Sequence, residues 1–492
     1  MTGGIAVCCF LFFSARWYIK IYGDIGFDSI IYTLGFYFGG VKPGLVMEFI
    51  RDTLLPTLIC TVASGLFLFL KTPRLSVGPL CIYPLGKYSA LAASLMICLA
   101  LLVNAAEIVG LKEYIRNHLE QSAIFESSYV FPDSVEIKFP EKKRNLIYIF
   151  MESMEVTYLS EGEGGGEQVN LIPELQILAE ENINFSSSSG VGGFRPVGGT
   201  TWTIGAMVGQ TAGVPLKTPE NLDDFQNGYG ADGVFLPGLT TLSDILFENG
   251  YYQMLMVGSD AFFGGREAYY TSHHTDEVLD LYDAREAGIV SEDYYVWWGM
   301  EDKYLYEFAK GELLKLGSED RPFAFSMLTV DTHHVAGYVC ELCGNDHTEQ
   351  YENVISCASR QLMDFISWIQ AQAFYENTTI VICGDHPSMD ADYFARNVAS
   401  SYVRRCYNCF INSAAETQCS KNREFTTLDL FPTVLSAMGC SIEGERLGLG
   451  TNLFSGVPTL AEELGFENFN AQIGMASEYY AVEFRQEDQT EQ

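Results

Sequence analysis

Basic residues are the clearest shortage: 29 Lys and Arg stand against 63 Asp and Glu over 492 residues, a formal net charge of −34. A surface so acidic repels a phosphate backbone, which argues against nucleic acid as a partner. No basic residue precedes the apolar run Ile5–Phe13, whereas Arg16 and Lys20 follow it, so a cleaved signal peptide is disfavoured. No internal repeat is present, which sets aside solenoids and propellers. Histidines number only seven, and four of them lie away from the strand ends described below. Their count alone points to no site.

Apolar residues, at 48% of the chain, are plentiful but unevenly placed. Residues 1–110 hold seven Lys or Arg and five Asp or Glu, formally +2, which leaves −36 on residues 111–492. A near-neutral, apolar front on an acidic rear suggests a membrane anchor carrying a water-exposed domain. Asp52–Leu70 and Tyr88–Gly110 each offer about 18–22 residues, enough for a bilayer core of ~30 Å at ~1.5 Å per residue. Lys71, Arg74 and Lys87 lie between them and read as cytoplasmic by the positive-inside rule, which puts everything after Gly110 outside. Ile5–Phe13 is too short to span alone, so it is expected either to be the end of a first helix whose beginning is missing or to continue through Tyr18 and Ile21. Tyr22–Phe38, apolar and aromatic, reads as a re-entrant or interfacial segment. The expected organisation is a membrane anchor of two to three transmembrane helices over residues 1–110 and a juxtamembrane helix with a proline-bounded linker over 111–143. The main domain follows over 144–460, and a C-terminal extension over 461–492.

Within the main domain, Asn145–Phe150, Pro322–Val330 and Ile380–Gly384 are unbroken apolar runs of strand length. That pattern marks strands buried on both faces of a parallel α/β sheet. Each leads into ligand-type residues: Glu152, then Asp331-Thr332-His333-His334, then Asp385-His386. Open α/β sheets hold their ligands at the carboxyl ends of strands. An Asp beside a His supplies oxygen and nitrogen donors suited to Zn²⁺ or Mn²⁺. Between the first two strands, Gly198-Gly199-Thr200-Thr201-Trp202-Thr203 crowds three hydroxyls behind a glycine pair. Such a stretch is either a threonine-capped turn or a hydroxyl aimed at an anion from a helix start. Arg266, beyond Gly264 and Gly265, carries a planar fork that suits a phosphate. Helices are expected over Pro173–Ala179, Leu239–Gly250 and Phe425–Met438, and His273 and His274 read as exposed.

Of thirteen cysteines, Cys8, Cys9, Cys60, Cys81 and Cys98 fall in the front part. Cys340/Cys343 and Cys406/Cys409 are C-x-x-C pairs able to bind structural zinc. For a domain outside the cytoplasm, disulfides among Cys340, Cys343, Cys357, Cys406, Cys409, Cys419 and Cys440 are the preferred reading, with Cys383 buried and free.

These ordered segments resemble the lipoteichoic acid synthase and phosphoglycerol transferase family, a sulfatase-like branch of the alkaline phosphatase superfamily. The nearest likeness is to the membrane-bound phosphoglycerol transferases that act on periplasmic glucans. The resemblance rests on Asn145–Ser153 (NLIYIFMES), Gly199–Val214 (GTTWTIGAMVGQTAGV), Leu328–His334 (LTVDTHH), Ile380–His386 (IVICGDH), Thr427–Thr433 (TLDLFPT) and Leu447–Phe454 (LGLGTNLF). The Cys/Ser-x-Pro-x-Arg signature of the sulfatases proper is absent, and Gly264 and Gly265 stand where the synthases carry a tryptophan and a polar residue.

The resemblance implies N-terminal transmembrane helices followed by an α/β/α sandwich of the alkaline phosphatase and sulfatase type. It implies a divalent metal, Mn²⁺ first with Mg²⁺ or Zn²⁺ as alternatives, held by Glu152, Thr200, Asp385 and His386. Thr200 would be the nucleophile, preferred over Thr201 by the family pattern Thr-x-Trp-Thr. Arg266 and His333 would bind the phosphate, with His333 also exchanging protons. The implied reaction moves glycerol phosphate from phosphatidylglycerol to an envelope glycan, glycolipid or polymer, at the outer face of the cell membrane. A phosphoethanolamine transferase, a sulfatase-like hydrolase and an inactive membrane-tethered binding protein are the alternatives.

Overall fold

The architecture comes from a computed structural model, whose described residues are 2–22, 27, 30, 43–69, 76–77, 80–81, 85–217, 234–296 and 298–486. The chain forms two compact units, one from its front up to Arg116 and one from Asn117 onward.

Among the described residues the front unit holds three long helices, α1 (Thr2–Tyr22), α2 (Leu55–Phe69) and α3 (Leu85–Ile108), with α1 against both others. Among the described residues two stretches are long and apolar enough to cross a membrane, Thr2–Ile21 and Leu91–Ile108. The run at Ile5–Phe13 therefore does not stop short but continues through Ile21 in one helix. The stretch from Asp52 is the broken one. A π-helical turn, Ile50–Leu54, joins a helix over Pro43–Phe49 to α2, whose α-helical part is 15 residues long. Pro56 gives the physical reason, since it has no N–H to donate four residues back and the wider turn absorbs the loss. Leu95, Met96 and Leu99 stay exposed on α3, the surface suited to a helix in lipid. The segment expected over residues 22–38 falls almost wholly outside the described residues, as do Lys71 and Arg74.

The rear unit is built on a seven-stranded sheet. Its strands are β1 (Asn145–Met151), β2 (Gly193–Phe194), β3 (Tyr252–Val257), β4 (Glu277–Leu279), β5 (Phe323–Leu328), β6 (Thr378–Gly384) and β7 (Cys406–Ile411). The order across the sheet is β2-β7-β6-β1-β5-β3-β4. The strands β6, β1, β5, β3 and β4 run parallel, whereas β7 is antiparallel to both β6 and β2. The apolar runs are continuous because helices cover both faces. Alternate residues Ile147, Ile149 and Met151 of β1 enter one core with helices α4 (Pro173–Glu181), α8 (Asp302–Leu316) and α9 (Gln350–Gln370). On the opposite face Tyr148 donates to Gln210 Oε1 at 2.8 Å, on α5 (Thr203–Ala212). The helices α6 (Leu242–Glu248) and α10 (Leu430–Ala437) pack against α5. A short helix, α7 (Arg266–Ser272), follows the loop after β3.

The stretch expected as a linker is folded onto this unit rather than free. Ile137–Lys138 pairs with Ser441–Ile442, and Val130 exchanges backbone hydrogen bonds of 2.9 and 2.8 Å with Gly448. The C-terminal segment is packed too: Phe125 meets the Tyr480 ring at 5.3 Å, and Asn470 accepts from the Gly198 N–H at 2.7 Å, bracing the threonine loop.

Candidate active site

Strand register brings the first ligands together. The parallel pair of β1 and β6 sets Met151 beside Gly384, so the next residues, Glu152 and Asp385, leave the sheet side by side. The ladder runs on past the strands, with Asp385 N–H donating to Met151 O at 3.1 Å. Ser153 then turns the chain in the left-handed region (φ 54°), a costly conformation for a non-glycine residue. The turn aims its N–H at Asp385 Oδ1 (2.8 Å) and its hydroxyl at Glu152 Oε1 (2.7 Å). The His386 N–H also donates to Asp385 Oδ1, at 2.7 Å. One Asp385 oxygen is thus saturated, whereas Oδ2 is buried and accepts no hydrogen bond.

His386 gathers the remaining donors. Its Nδ1 faces the Pro387 carbonyl at 2.9 Å and so carries the proton, which leaves the Nε2 lone pair directed at the cluster. Around Nε2 lie Asp385 Oδ2 at 3.3 Å, Glu152 Oε1 at 3.6 Å and Thr203 Oγ1 at 3.3 Å. Oxygen and nitrogen ligands about 2.0–2.2 Å from a tetrahedral ion stand about 3.3–3.6 Å apart, so this set fits a divalent cation. The electrostatics agree. Burial pushes the Asp385 carboxyl up to about 7, the Glu152 charge adds to that, and His386 works the other way. Burial alone would lower the His386 pKa, but the carboxylates of Asp385 and Glu152 outweigh it and raise it. Two carboxylates buried beside one imidazole lack positive charge, which a dication would supply.

Thr200 does not join this group. Its hydroxyl donates to Val197 O at 2.8 Å, accepts from Val197 N–H at 3.1 Å and lies 3.0 Å from Thr427 Oγ1. Gly199 (φ 83°) turns the chain so that Thr200 points into the packing between α5 and the 427 turn. Thr203 is the first residue of α5, behind the extended Trp202, and its hydroxyl reaches the cluster. Of the two threonines, the structure brings Thr203 and not Thr200, the expected one, to the cluster. The expectation took the first threonine of Thr-x-Trp-Thr, whereas the helix begins at the last. A helix start is where N–H groups are free to receive an anion, and the structure puts that start at Thr203.

Arg266 and His333 are linked to each other through a row of aromatic rings. Arg266 is nearly buried at the start of α7, donates to Asp260 O at 2.6 Å and has its guanidinium carbon 5.8 Å from the Phe263 ring centre. Phe263 meets the Trp298 ring at 5.9 Å, and Trp298 meets the His333 ring at 4.7 Å. Phe262 and Phe263 remain exposed. The His333 loop is held from below, since both Asp302 carboxylate oxygens accept backbone N–H groups, from Val330 at 2.7 Å and Asp331 at 3.3 Å.

Sequence reasoning missed the brace behind the ligands. Arg404 pairs with the Glu155 carboxylate through two nitrogens, one at 2.9 Å, and donates to Ser388 O at 2.7 Å. The Ser388 N–H donates to Glu155 Oε1 at 2.9 Å. The pair thereby fastens the loop bearing Asp385 and His386 to the turn bearing Glu152. It had no local signal, because Glu155 and Arg404 lie 249 residues apart.

Two further expectations change. His273 is buried rather than exposed, with Nδ1 at 2.9 Å from Asp244 Oδ2 and Nε2 at 2.9 Å from Phe235 O; His274 is exposed. Among the described cysteines no disulfide is formed. Cys406 and Cys409 lie three apart on β7 and so face opposite sides of the sheet, where they can neither bridge nor share an ion. Cys340, Cys343 and Cys357 do meet.

A family model described as Sulfatase matches residues 144–440. A curated protein named Phosphoglycerol transferase I, from Xanthomonas campestris pv. campestris (strain B100), is 30% identical over 324 residues, 64% of this chain and 43% of that protein. The chain thus spans less than half the length of the curated relatives it matches. A solved protein of the alkaline phosphatase superfamily from Vibrio parahaemolyticus superposes with TM-score 0.50 at 18% identity, covering 66% of this chain and 72% of its own. The integral membrane lipooligosaccharide phosphoethanolamine transferase A of Neisseria meningitidis gives TM-score 0.51 at 13% identity, covering 89% and 84%. At these identities the structural likeness carries the fold alone.

Proposed function

The chain belongs to the sulfatase family, and from there we propose that it is a membrane-anchored, metal-dependent phosphoglycerol transferase. Its donor is phosphatidylglycerol and its acceptor a hydroxyl of an envelope glycan, glycolipid or polymer. The helices Thr2–Ile21 and Leu91–Ile108 anchor it in the cell membrane, with the sheet-bearing unit on the outer face beside its lipid donor. The name of the 30% identical relative supports the reaction class. The observation that carries the reading is the convergence of Glu152, Thr203 and Asp385 oxygens within 3.6 Å of His386 Nε2, at a helix start.

Glu152, Thr203, Asp385 and His386 would hold the cation, Mn²⁺ first, with Mg²⁺ or Zn²⁺ also suited to the donor set. A divalent cation here would lower the pKa of the threonine hydroxyl and offset charge on the phosphoryl oxygens. Thr203 Oγ1, its proton lost to solvent, attacks phosphorus while the N-terminus of α5 favours the anion. The Thr203 O–P bond forms as the P–O bond to diacylglycerol breaks. His333, with its imidazole half-buried beside Trp298, gives the leaving oxygen a proton. A glycerophospho-threonine remains. His333 then takes the proton of the acceptor hydroxyl as that oxygen attacks phosphorus and Thr203 departs. Arg266 neutralises charge on the phosphoryl group throughout.

The test is the intact mass of the purified chain after incubation with phosphatidylglycerol alone, followed by peptide mapping. A glycerol phosphate adduct on Thr203 is expected. An adduct formed only from phosphatidylethanolamine overturns the donor, and an adduct on Thr200 overturns the nucleophile.

A further inference from the structure

Away from the strand-end cluster, three thiols lie together. Cys340 and Cys343 sit in the loop that follows His333 and His334, and Cys357 is on α9. Cys340 Sγ is 3.7 Å from Cys343 Sγ and 3.8 Å from Cys357 Sγ, and all three sulfurs lie within 4.8 Å of one another. Cys340 and Cys357 are buried and Cys343 is half-buried.

The spacing discriminates between partners. A disulfide needs sulfurs about 2.05 Å apart, and any one bridge among three cysteines strands the third thiol. Sulfurs about 2.3 Å from a tetrahedral zinc stand about 3.8 Å apart, close to the two shorter separations, and one ion uses all three. Gln361 supplies an independent indication. It lies one turn beyond Cys357 on α9 and is more than nine-tenths buried. Its amide nitrogen donates to Cys357 Sγ at 3.3 Å and approaches Cys340 Sγ at 3.9 Å. An N–H aimed at sulfur favours thiolate over thiol. The oxygen of the same amide is buried with no hydrogen-bond partner. A water on the fourth position of a bound ion is the donor that this oxygen lacks.

We propose that Cys340, Cys343 and Cys357 bind one zinc ion through three thiolates, with solvent as fourth ligand beside Gln361. The ion ties the loop carrying His333 to α9. Soft sulfur donors separate this ion from the one the oxygen and nitrogen set at the strand ends would take. The proposal stands independently of the phosphotransferase reading, because it concerns metal content and not turnover.

The test uses the full chain in detergent, prepared without reductant, loaded with zinc or cobalt(II) and freed of excess ion. Metal per chain is measured by mass spectrometry, and the cobalt form by its thiolate-to-metal charge-transfer absorption. Wild type is expected to show that absorption, and Cys343→Ser and Cys357→Ser to lose it together with one zinc equivalent. Asp385→Asn is expected to keep it. The wild-type spectrum needs no variant, so a misfolded mutant does not remove the test. Absence of the charge-transfer band in wild type, or a Cys340–Cys357 disulfide found by alkylation mapping, overturns the site.

Discussion

The two ligand clusters of the rear unit are built in opposite ways. At the strand ends, Glu152 and Asp385 are neighbours because β1 and β6 are neighbours, and backbone N–H groups orient the Asp385 carboxylate in advance. The three cysteines come from a loop and a helix, with one sulfur half-exposed and no strand to space them. A sheet presents ligands before an ion arrives, at the cost of burying charge. A loop leaves more of the arrangement to the ion itself.

The largest effect that separates rigid chemistry from packing is expected on α5. Thr203→Ala should lower transfer from phosphatidylglycerol by about 10³-fold or more, as loss of a nucleophile does. Thr200→Ala should keep transfer within about tenfold while lowering stability by about 1 kcal/mol, through its lost hydrogen bonds. The reverse ranking in a labelled-lipid assay breaks the assignment of Thr203 to the strand-end cluster.

Next in size is the brace. Glu155→Gln leaves the half-buried Arg404 without its countercharge, and a loss of about 2 kcal/mol is expected in denaturant unfolding of the sheet-bearing unit. The same measurement on metal-free Cys343→Ser should move far less, since an unfilled loop site contributes little. Equal losses would mean that the two clusters are not built differently.

Gly209→Ala is a smaller test of the Thr200 side of α5. An added Cβ would come within 2.9 Å of Thr200 Cγ2 and 3.0 Å of Thr427 Cγ2, so overpacking of about 1 kcal/mol is expected with turnover nearly unchanged. A large fall in turnover would bring Thr200 back into the chemistry.

The smallest effect concerns a carboxylate outside both clusters. Burial raises Glu167 to about 7, partly offset by the hydrogen bond from Tyr393. A folded pKa above the unfolded value means that the native state holds the proton longer, so stability falls as pH rises from about 4.5 through 7. Glu167→Gln should flatten that fall, gaining about 1 kcal/mol at pH 8 after discounting for solvent screening, and nothing at pH 4. Unchanged melting curves at both pH values would sink it.

What could be read in the sequence followed from periodicity and position. The runs now seen as β1, β5 and β6 were legible because two-sided burial leaves no polar interruption, and their ligand-bearing ends followed. By contrast, β7 hid behind its C-x-x-C, because cysteine spacing suggests a site more readily than a strand. His273 looked exposed because its partner Asp244 comes from another element, 29 residues earlier. Thr200 and Thr203 differ by three positions, and only the observed start of α5 separates a packed hydroxyl from a presented one. Contacts made by tertiary folding, such as Glu155 with Arg404, leave no trace in local pattern.

The pairing of Met151 with Gly384 has a consequence for how this fold tolerates change over generations. Because side chains alternate along a strand, gaining or losing one residue within β1 or β6 would turn Glu152 or Asp385 to the wrong face. Length variation inside these two strands is therefore barred unless both change together. The connections at the opposite edge of the sheet carry no such constraint and are free to lengthen. Indels in related sequences should accordingly cluster at the amino ends of β1 and β6 and spare their carboxyl ends, so that the strands act as a ruler that inheritance cannot cheaply recut.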